Sequence, residues 1–527
     1  MEETNNSQIP WVVLFAVVAG GFVALLVSSS VNVALPRLMA IFGVNAGSIQ
    51  WVITSYTLVS GIIVPITGYL TMRYGSKRMY ILALAIFTVG SVLCAVSWNN
   101  TSLVVARIIQ AVGGGMINPV GMAIIYMHVP RDKMGMAMGV FGVAVTVAPA
   151  IGPTVGGYLV DHLNWEWIFI MNIPISLAAI FLSAVALKET PRQTGLKPDV
   201  MGIITCTCAC FSLLLALSQG TDKGWSSLYI VNLFIFSGFS FVLFVLWELN
   251  FPQPLINMKL FNNRTFCVSL LAVSIMTVGL YAGTFFIPLY AQTAMGFTPM
   301  QTGLMMMPAA VVTALMMPVS GRLFDKVGAM PLCIVGFAII AYYTYGLHNL
   351  GVNTSISEIR WMLVKRSLGL GLAMMPMSTV GMNTIPKLMV SQGSALNNLV
   401  RMISISIGLP CLTVTMTHRQ IYHAARLRET VTWSSPAAVS AIGKLKGVLF
   451  LRGIPQSHTS AASLGLLSRN VSLNAFISGI NDLFIVAAGL MAAAIPLGLF
   501  LSKRAAEAET EKQNRQFGRM LNNIEND

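Results

Sequence analysis

The stretch Gly68-Tyr-Leu-Thr-Met-Arg73-Tyr-Gly75 follows the second of many apolar segments in this chain, and a stretch of the same pattern, Gly321-Arg-Leu-Phe-Asp325-Lys326-Val-Gly328, follows the tenth. In both, glycines and basic residues recur at matching spacing between two long apolar segments. A turn that repeats at matching positions predicts two related halves. Many secondary transporters are built from such halves and bind their substrate where the halves meet, near the bilayer midplane.

The composition is that of an integral membrane protein. Of the 527 residues, 55% are hydrophobic and 9% are charged, against roughly 25% charged in ordinary soluble domains. Apolar stretches of the ~20 residues that cross a bilayer core recur along nearly the whole chain, which excludes a soluble enzyme on a single anchor. The first stretch, 11–35, is too long for a signal-peptide core and lacks a basic leader, so we expect an uncleaved helix.

The positions of the basic residues predict the topology. A net charge of +14 would suggest nucleic acid in a soluble protein, but most basic residues here lie in alternate loops, so no nucleic-acid partner is predicted. Because Lys and Arg concentrate on the cytoplasmic side, we expect a multi-pass plasma-membrane protein with both termini in the cytoplasm. The predicted helices lie near 11–35, 49–69, 79–97, 103–127, 134–159, 167–187, 201–219, 228–249, 265–290, 300–323, 330–350, 361–385, 396–416 and 483–501.

The predicted fold class is all-α and membrane-embedded, with two six-helix bundles and two inserted helices. The first bundle is expected within 1–190, the inserted pair within 191–260, and the second bundle within 261–502. The segment 418–480 is neither low in complexity nor strongly charged, so we expect a long, partly helical outer loop. Acids and bases alternate along 503–527, which predicts a cytoplasmic tail.

The fifth predicted helix carries the motif Ala148-Pro149-x-x-Gly152-Pro153-x-x-Gly156-Gly157. Together with the repeated turn, this motif indicates a family. The chain resembles the major facilitator superfamily, specifically its fourteen-helix drug:proton antiporter family of EmrB/QacA type. Proline removes a backbone donor, and glycines four residues apart permit close helix approach. The alternative is a helix in which Gly and Pro serve packing alone. The resemblance implies coupling or gating roles for Arg73, Gly75, Arg107, Pro149, Gly152, Pro153, Gly156 and Gly157.

The fourth predicted helix carries Arg107-x-x-Gln110-x-x-Gly113-Gly-Gly115 at membrane depth. An arginine there is costly unless it faces water or a partner. One hypothesis is a cavity-facing cation that biases proton release or holds an anionic substrate group, and the other is a structural tie to neighbouring carbonyls. Arg366 is the expected counterpart in the other half. We assign the substrate cavity to Asn32, Tyr56, Arg107, Gln110, Tyr290, Arg366, Asn398 and Arg401.

Carboxylates are missing from the central third of every predicted helix. Many members of the family carry an aspartate in the first helix where this chain has Val27, and the serines that follow cannot hold a proton as a desolvated carboxylate can. Asp161 and Asp482, at the outer ends of helices, are the candidate proton carriers, with an interface role as the alternative. Asp325 is expected in gating. A lipophilic cation would find no deep counter-ion, which favours neutral or weakly acidic hydrophobic substrates.

The sequence therefore predicts a secondary transporter that exports hydrophobic small molecules in exchange for protons. It contains no Walker-type loop for ATP, and its six histidines and seven cysteines have no catalytic or metal-ligand arrangement, so no enzyme activity, cofactor or metal is predicted. The alternatives are a membrane-embedded enzyme, an uncoupled channel or sensor, and an exporter of one metabolite, siderophore or lipid. In double-membraned cells the resemblance implies a periplasmic adaptor and an outer channel as partners.

Overall fold

The computed structural model describes residues 10–190, 198–386, 389–430, 435–451, 455–502, 507–509 and 511. Within these ranges the chain forms helices and connecting segments, without β-strands. The predicted tail 503–527 lies almost entirely outside the described residues. The α-helices are α1 Trp11–Phe42, α2 Ala46–Tyr74, α3 Ser76–Ala95, α4 Asn100–His128, α5 Met134–His162, α6 Trp167–Ile170, α7 Asn172–Ala186, α8 Val200–Lys223, α9 Leu228–Asn250, α10 Arg264–Ala294, α11 Pro299–Val327, α12 Ala329–Gly346, α13 Ile356–Asn383, α14 Val390–Thr430, α15 Pro436–Leu451 and α16 Gln456–Leu499.

Each predicted spanning segment coincides with a helix of the structure. The sixth segment is divided between α6 and α7, which meet at Met171. In the described part of the chain, 13 helices are long and apolar enough to cross a membrane. The predicted span that is not among them is α13, which is less apolar and carries Lys365 and Arg366. The all-helical membrane fold is therefore confirmed.

Local sequence explains where the helices begin and end. At the start of α4, the Asn99 side chain accepts a hydrogen bond from the Ser102 amide at 2.7 Å, and the Ser102 hydroxyl accepts one from the Asn99 amide at 3.1 Å. This capping box satisfies two amides that the helix leaves unpaired, and α11 begins in the same way. The repeated turns contain Gly75 and Gly328 with φ of 92° and 82°, a conformation that glycine adopts at little cost.

The helices pack as two groups that meet along two seams. In the first group α1 packs on α5 and α7, and α3 packs on α4; in the second, α12 packs on α13 and α16, and α10 on α14 and α16. The groups meet where α5 packs on α11 and where α2 packs on α14. The inserted helix α8 packs on both α2 and α14, so it lies along the second seam.

Two helices extend well beyond the length that a bilayer requires. α14 has 41 residues and α16 has 44, about twice the ~20 residues that span a hydrocarbon core. α15 packs against α16. The described residues of the predicted loop 418–480 are therefore mostly helical, and we call α15 with the adjoining ends of α14 and α16 the helical extension. The opposite ends of the bundles, which carry the Gly75 and Gly328 turns, are called the basic face.

Candidate functional site

Arg107 lies inside the first bundle, where three helices hold it. Its side chain is 1% exposed. Nε donates to the Val52 carbonyl of α2 at 3.2 Å, and Nη1 donates to Gln110 Oε1 at 2.6 Å. The guanidinium carbon lies 4.2 Å from the ring centroid of Tyr56, a cation–π contact, and Gln110 donates to Ser91 of α3 at 2.7 Å. Arg107, Gln110 and Tyr56, all predicted site residues, thus lie in one network, and its contacts join α4 to α2 and α3.

Arg366 has equivalent surroundings in the second bundle. Its side chain is 3% exposed. Nε donates to the Thr344 hydroxyl of α12 at 3.0 Å, and Nη2 donates to the Gly279 carbonyl of α10. Both buried arginines therefore join their own helix to two neighbours through neutral acceptors, as expected of counterparts in two related halves.

Arg401 on α14 is the predicted cavity residue whose charge has the fewest hydrogen-bond partners among the described residues. Its side chain is partly exposed, yet Nε is buried and has no hydrogen-bond partner among the described residues. Tyr281 of α10 is a neighbouring polar group. Asn398, one turn earlier, is also partly exposed and donates to the Ser394 carbonyl at 2.9 Å. Arg401 is therefore a cation with unused donors, suited to an acceptor or anionic group.

The glycines of α5 bring it into backbone contact with α1. A Cβ atom at Gly152 would overlap the Ser29 hydroxyl, and one at Gly156 would lie 2.8 Å from the Ser30 carbonyl oxygen. The Ser30 hydroxyl donates to the Gly152 carbonyl at 2.9 Å. Gly157 differs from its neighbours, since the nearest atom to a Cβ there is 3.8 Å away. Gly152 and Gly156 thus permit the close approach of α1, whereas at Gly157 the space would also accept a side chain.

Asp325 joins α11 to α5 at the basic face. Its Oδ1 accepts from the Gly135 amide at 2.9 Å and its Oδ2 from the Met136 amide at 3.3 Å. These amides belong to the first turn of α5, where helices leave N–H groups unpaired and where a carboxylate also meets the positive end of the helix dipole. The predicted gating residue is therefore an N-terminal cap supplied by the opposite half.

The turn after α2 lacks this device, because Met72 stands at the position equivalent to Asp325. Arg73 instead donates to the Tyr69 hydroxyl of its own helix at 2.8 Å. Among the described residues, the carboxylate cap between the halves therefore occurs on the α5 side alone.

Glu189, which follows α7, was missed by the motif analysis. Its Oε1 accepts from the Lys77 amide at 3.2 Å in the first turn of α3, and its Oε2 lies 3.7 Å from Arg78 Nε. Glu189 thus supplies a negative charge to the start of α3 from within the same half. No local motif marks this role, because the acid and the helix that it caps are more than a hundred residues apart.

Asp482 on α16 contacts two basic residues of α14. Its Oδ2 lies 2.5 Å from Arg419 Nε and 2.7 Å from His423 Nε2. A carboxylate held in a charge-assisted hydrogen bond by arginine is a fixed counter-ion. This geometry favours the interface role over that of proton carrier.

The other predicted residues do not join these networks. Asn32 on α1 and Asp161 near the end of α5 are exposed, and Pro149 and Pro153 are partly buried in α5. Tyr290 is buried and donates to the Gly351 carbonyl at 2.7 Å, at the end of α10.

A pair of buried carboxyl groups was also missed. Asp199 precedes α8 and is 1% exposed, and Glu248 lies in the last turn of α9 and is 3% exposed. The signal for Asp199 was present, because an Asp immediately before an apolar run is typical of a helix N-cap. Nothing in the sequence showed that Glu248 faces it.

Two related groups of helices, with a buried arginine at equivalent places in each and a glycine-rich helix where they meet, define a many-span membrane protein built from two halves. The profile of the Major Facilitator Superfamily matches residues 17–409. The chain is 33% identical over 498 residues to an MFS-type transporter, YhcA, of Bacillus subtilis, with 94% of each chain covered. It therefore belongs to the major facilitator superfamily, a family of transporters.

Further relatives support the predicted EmrB/QacA type. The lincomycin resistance protein LmrB of Listeria monocytogenes is 30% identical, with 80% of this chain and 89% of that protein covered. The multidrug export protein EmrB of Escherichia coli is 26% identical, with 89% and 91% covered. The fold is similar to that of the human organic anion transporter MFSD10, with a TM-score of 0.57 at 13% identity over 93% of this chain and 100% of that one.

Proposed function

We propose that this protein is a proton-driven exporter of hydrophobic small molecules, neutral or weakly acidic, in a bacterial plasma membrane with both termini in the cytoplasm. The observation that carries the proposal is full-length similarity to exporters named for multidrug export and lincomycin resistance. Transport follows alternating access, in which the two halves rock about a central site.

The contacts between the halves support this motion. They include the Asp325 cap on α5 and the approach of Gly68 on α2 to Gln392 on α14, both at the basic face. A cap of two hydrogen bonds and a glycine contact without side-chain interlocking can separate at modest cost, since a net hydrogen bond contributes only ~0.5–1.5 kcal/mol. These contacts act as a closure that opens when the site turns to the cytoplasm.

The charges of the bundle interior support the substrate class. Arg401 has unused donors, whereas the described carboxylates lie at helix ends, in the connecting segments or, for Asp482, beside Arg419 and His423. A lipophilic cation entering between the halves would meet uncompensated positive charge, which in a region of low dielectric constant opposes its binding. A neutral acceptor or a weak acid would instead bind to Arg401.

Proteoliposomes test the proposal directly. With an imposed proton gradient, we expect movement of the fluorescent carboxylate pyrenebutyrate accompanied by proton counterflow, and little movement of the cation ethidium. Arg401→Gln should reduce pyrenebutyrate transport at least tenfold, about 1.4 kcal/mol of lost binding, while exposed Arg360→Gln should not. Transport of ethidium alone, or transport without proton movement, would contradict the proposal.

The Val27 position gives a second test of the substrate class. Val27 is fully buried on α1, so Val27→Asp adds a carboxylate at membrane depth. We expect this variant to gain transport of ethidium, because a buried carboxylate pairs with a lipophilic cation. An unchanged substrate range would discredit the charge argument while leaving export itself intact.

The helical extension is the proposed docking site for an adaptor. It carries exposed apolar side chains on α15, including Val448, Phe450 and Leu451, and isolated apolar patches of this kind mark interaction surfaces. Replacing His423–Ser468 by a short linker should abolish co-purification of an adaptor and preserve transport in proteoliposomes. Unchanged co-purification would end the docking hypothesis.

A further inference from the structure

Asp199 and Glu248 form a buried junction at the base of the inserted helix pair. Asp199 Oδ1 accepts from the Gly202 amide at 2.8 Å and from Trp247 Nε1 at 2.7 Å. Its Oδ2 accepts from the Leu255 amide at 3.4 Å. Through one carboxyl group, the first turn of α8 is thus bound to the end of α9 and to the segment that leads into the second bundle.

Glu248 completes the junction on one side only. Its Oε2 accepts from the Ile256 amide at 3.3 Å. Its Oε1 is buried and has no hydrogen-bond partner in the part of the chain that the structure describes, and the whole residue is 3% exposed. A buried carboxylate oxygen without a donor costs more than a neutral group would. Some ligand or proton must therefore be associated with this oxygen.

The unpaired oxygen is directed towards the other carboxyl group. A Cβ atom at Gly202 would overlap Asp199 Oδ2 and lie 2.7 Å from Glu248 Oε1, so both oxygens border the same small space. Two carboxylates within ~4–6 Å of each other disfavour joint ionisation. Neither group has an ion-pair partner among the described residues, so no described cation relieves the repulsion.

We propose that Asp199 and Glu248 are a proton-binding site that holds one shared proton. The proton is bound to Glu248 Oε1, which donates a hydrogen bond to Asp199 Oδ2, so the pair carries a single negative charge. This assignment gives the orphan oxygen a partner and removes the like-charge contact. A metal ion is the weaker alternative, because no group of three or more potential ligands converges among the described residues.

The helix that begins at this site also lies along the seam between the halves. α8 lies against α2, where Thr54 and Ser218 are 3.4 Å apart and where a Cβ at Gly61 would overlap Leu214. Among the described residues, the titratable groups around the pair are its own two members and the Cys206 thiol, about two turns further along α8. Loss of the shared proton would leave two adjacent anions, whose repulsion would separate the start of α8 from the end of α9. The junction is thus stable while protonated and weakens as the pH rises.

Infrared spectroscopy of the purified full-length protein tests the site. The wild type should show the carbonyl band of a protonated carboxylic acid that persists at neutral pH and shifts in D2O. Glu248→Gln should lose this band. Asp199→Asn should lose it at a lower pH than the wild type does, because Glu248 then ionises without a charged neighbour. Glu358→Gln, which removes an exposed acid on α13, should retain it.

Thermal unfolding as a function of pH provides the second readout. The Tm of the wild type should fall over the same pH range in which the carbonyl band of the protonated acid disappears. Glu248→Gln, whose amide N–H can still donate to Asp199, should fold and show no such fall. A neutral-pH spectrum identical in wild type and Glu248→Gln would overturn the proposal. Stabilisation of the wild type by Na⁺ or Ca²⁺, absent in Glu248→Gln, would replace the proton by a metal ion and would equally overturn it.

Discussion

Arg107 and Arg366 retain a charge inside an apolar bundle without a carboxylate partner. Arg366 is held by neutral acceptors on two neighbouring helices. Arg107 is held by one on α2 and by Gln110 of its own helix, and its guanidinium also contacts the ring of Tyr56. A planar group with five donors can make several such bonds at once, whereas the lysine ammonium is a compact point charge. Arginine at both positions is therefore explained by geometry, and the pairing of one per half follows from the internal repeat.

Replacing Arg107 tests this explanation at a single residue. Arg107→Ala should abolish export and lower stability by roughly 2–4 kcal/mol, because a large buried side chain is lost and Gln110 loses its donor. Arg107→Lys should recover stability in part and leave export impaired. Thermal unfolding in detergent and transport in proteoliposomes measure the two effects, with exposed Arg360→Ala as the control. If Arg107→Ala exports at the wild-type rate, the role of Arg107 is structural only.

At the scale of a helix, α5 is the element on which the two halves depend. Its glycines bring one face against α1 and another against α11, where Gly135 approaches Gly321 and Gly139 approaches Met317 through backbone atoms. Contacts between backbones lack interlocking side chains, so they permit close packing and small rotations. We therefore interpret the glycines of α5 as residues that allow close helix packing and also permit movement between the helices.

Adjacent glycines in the motif should respond differently to the same substitution. Gly156→Ala places a methyl group against the backbone of α1, and such overpacking costs roughly 1–3 kcal/mol. Gly157→Ala meets no atom closer than 3.8 Å, so it should be tolerated. We expect a lower Tm and impaired export for the first variant and near-normal values for the second. Equal effects would show that helix flexibility, not contact with α1, explains these glycines.

The cap on α5 can be tested through its amides. Asp325→Ala removes both acceptors from the Gly135 and Met136 amides, and Asp325→Asn keeps one acceptor without the charge. Because a charge at a helix N-terminus contributes ~0.3–2 kcal/mol, hydrogen exchange at the start of α5 should increase about two- to thirtyfold, more for Ala than for Asn. Asp161→Ala, at the other end of the helix, is the control. Unchanged exchange in Asp325→Ala would mean that the cap does not hold the helix.

For the whole molecule, the sequence predicted the helices and their order because apolar length is a local property. The repeated turn also correctly paired α2 with α11. Long-range partners were not predictable in this way. Glu189 caps α3 and Asp325 caps α5 across more than a hundred residues, and the 41- and 44-residue lengths of α14 and α16 were hidden by polar residues that end the apolar signal.

The same limit applied to the candidate site. Arg107, Gln110 and Tyr56 were expected in one cavity and do lie together, since their two helices, α4 and α2, pack side by side. Whether they face substrate is a separate matter, because the direction of a side chain depends on neighbours that one sequence does not reveal. Asp482 illustrates this point: it was predicted at the start of a helix and lies well inside α16. Its partners Arg419 and His423 came from a helix that was predicted to end before them.

The orientation of the whole molecule is the last prediction, and it determines the direction of export. The positive-inside rule places the basic face in the cytoplasm and the helical extension outside. In a variant with all native cysteines replaced, including exposed Cys411, single cysteines at exposed positions 78, 322 and 469 provide the test. A membrane-impermeant maleimide should label Arg469→Cys on intact cells, and Arg78→Cys and Arg322→Cys only after permeabilisation. Labelling of 78 and 322 from opposite sides would contradict the two-halved architecture, because the repeated turns must share one face.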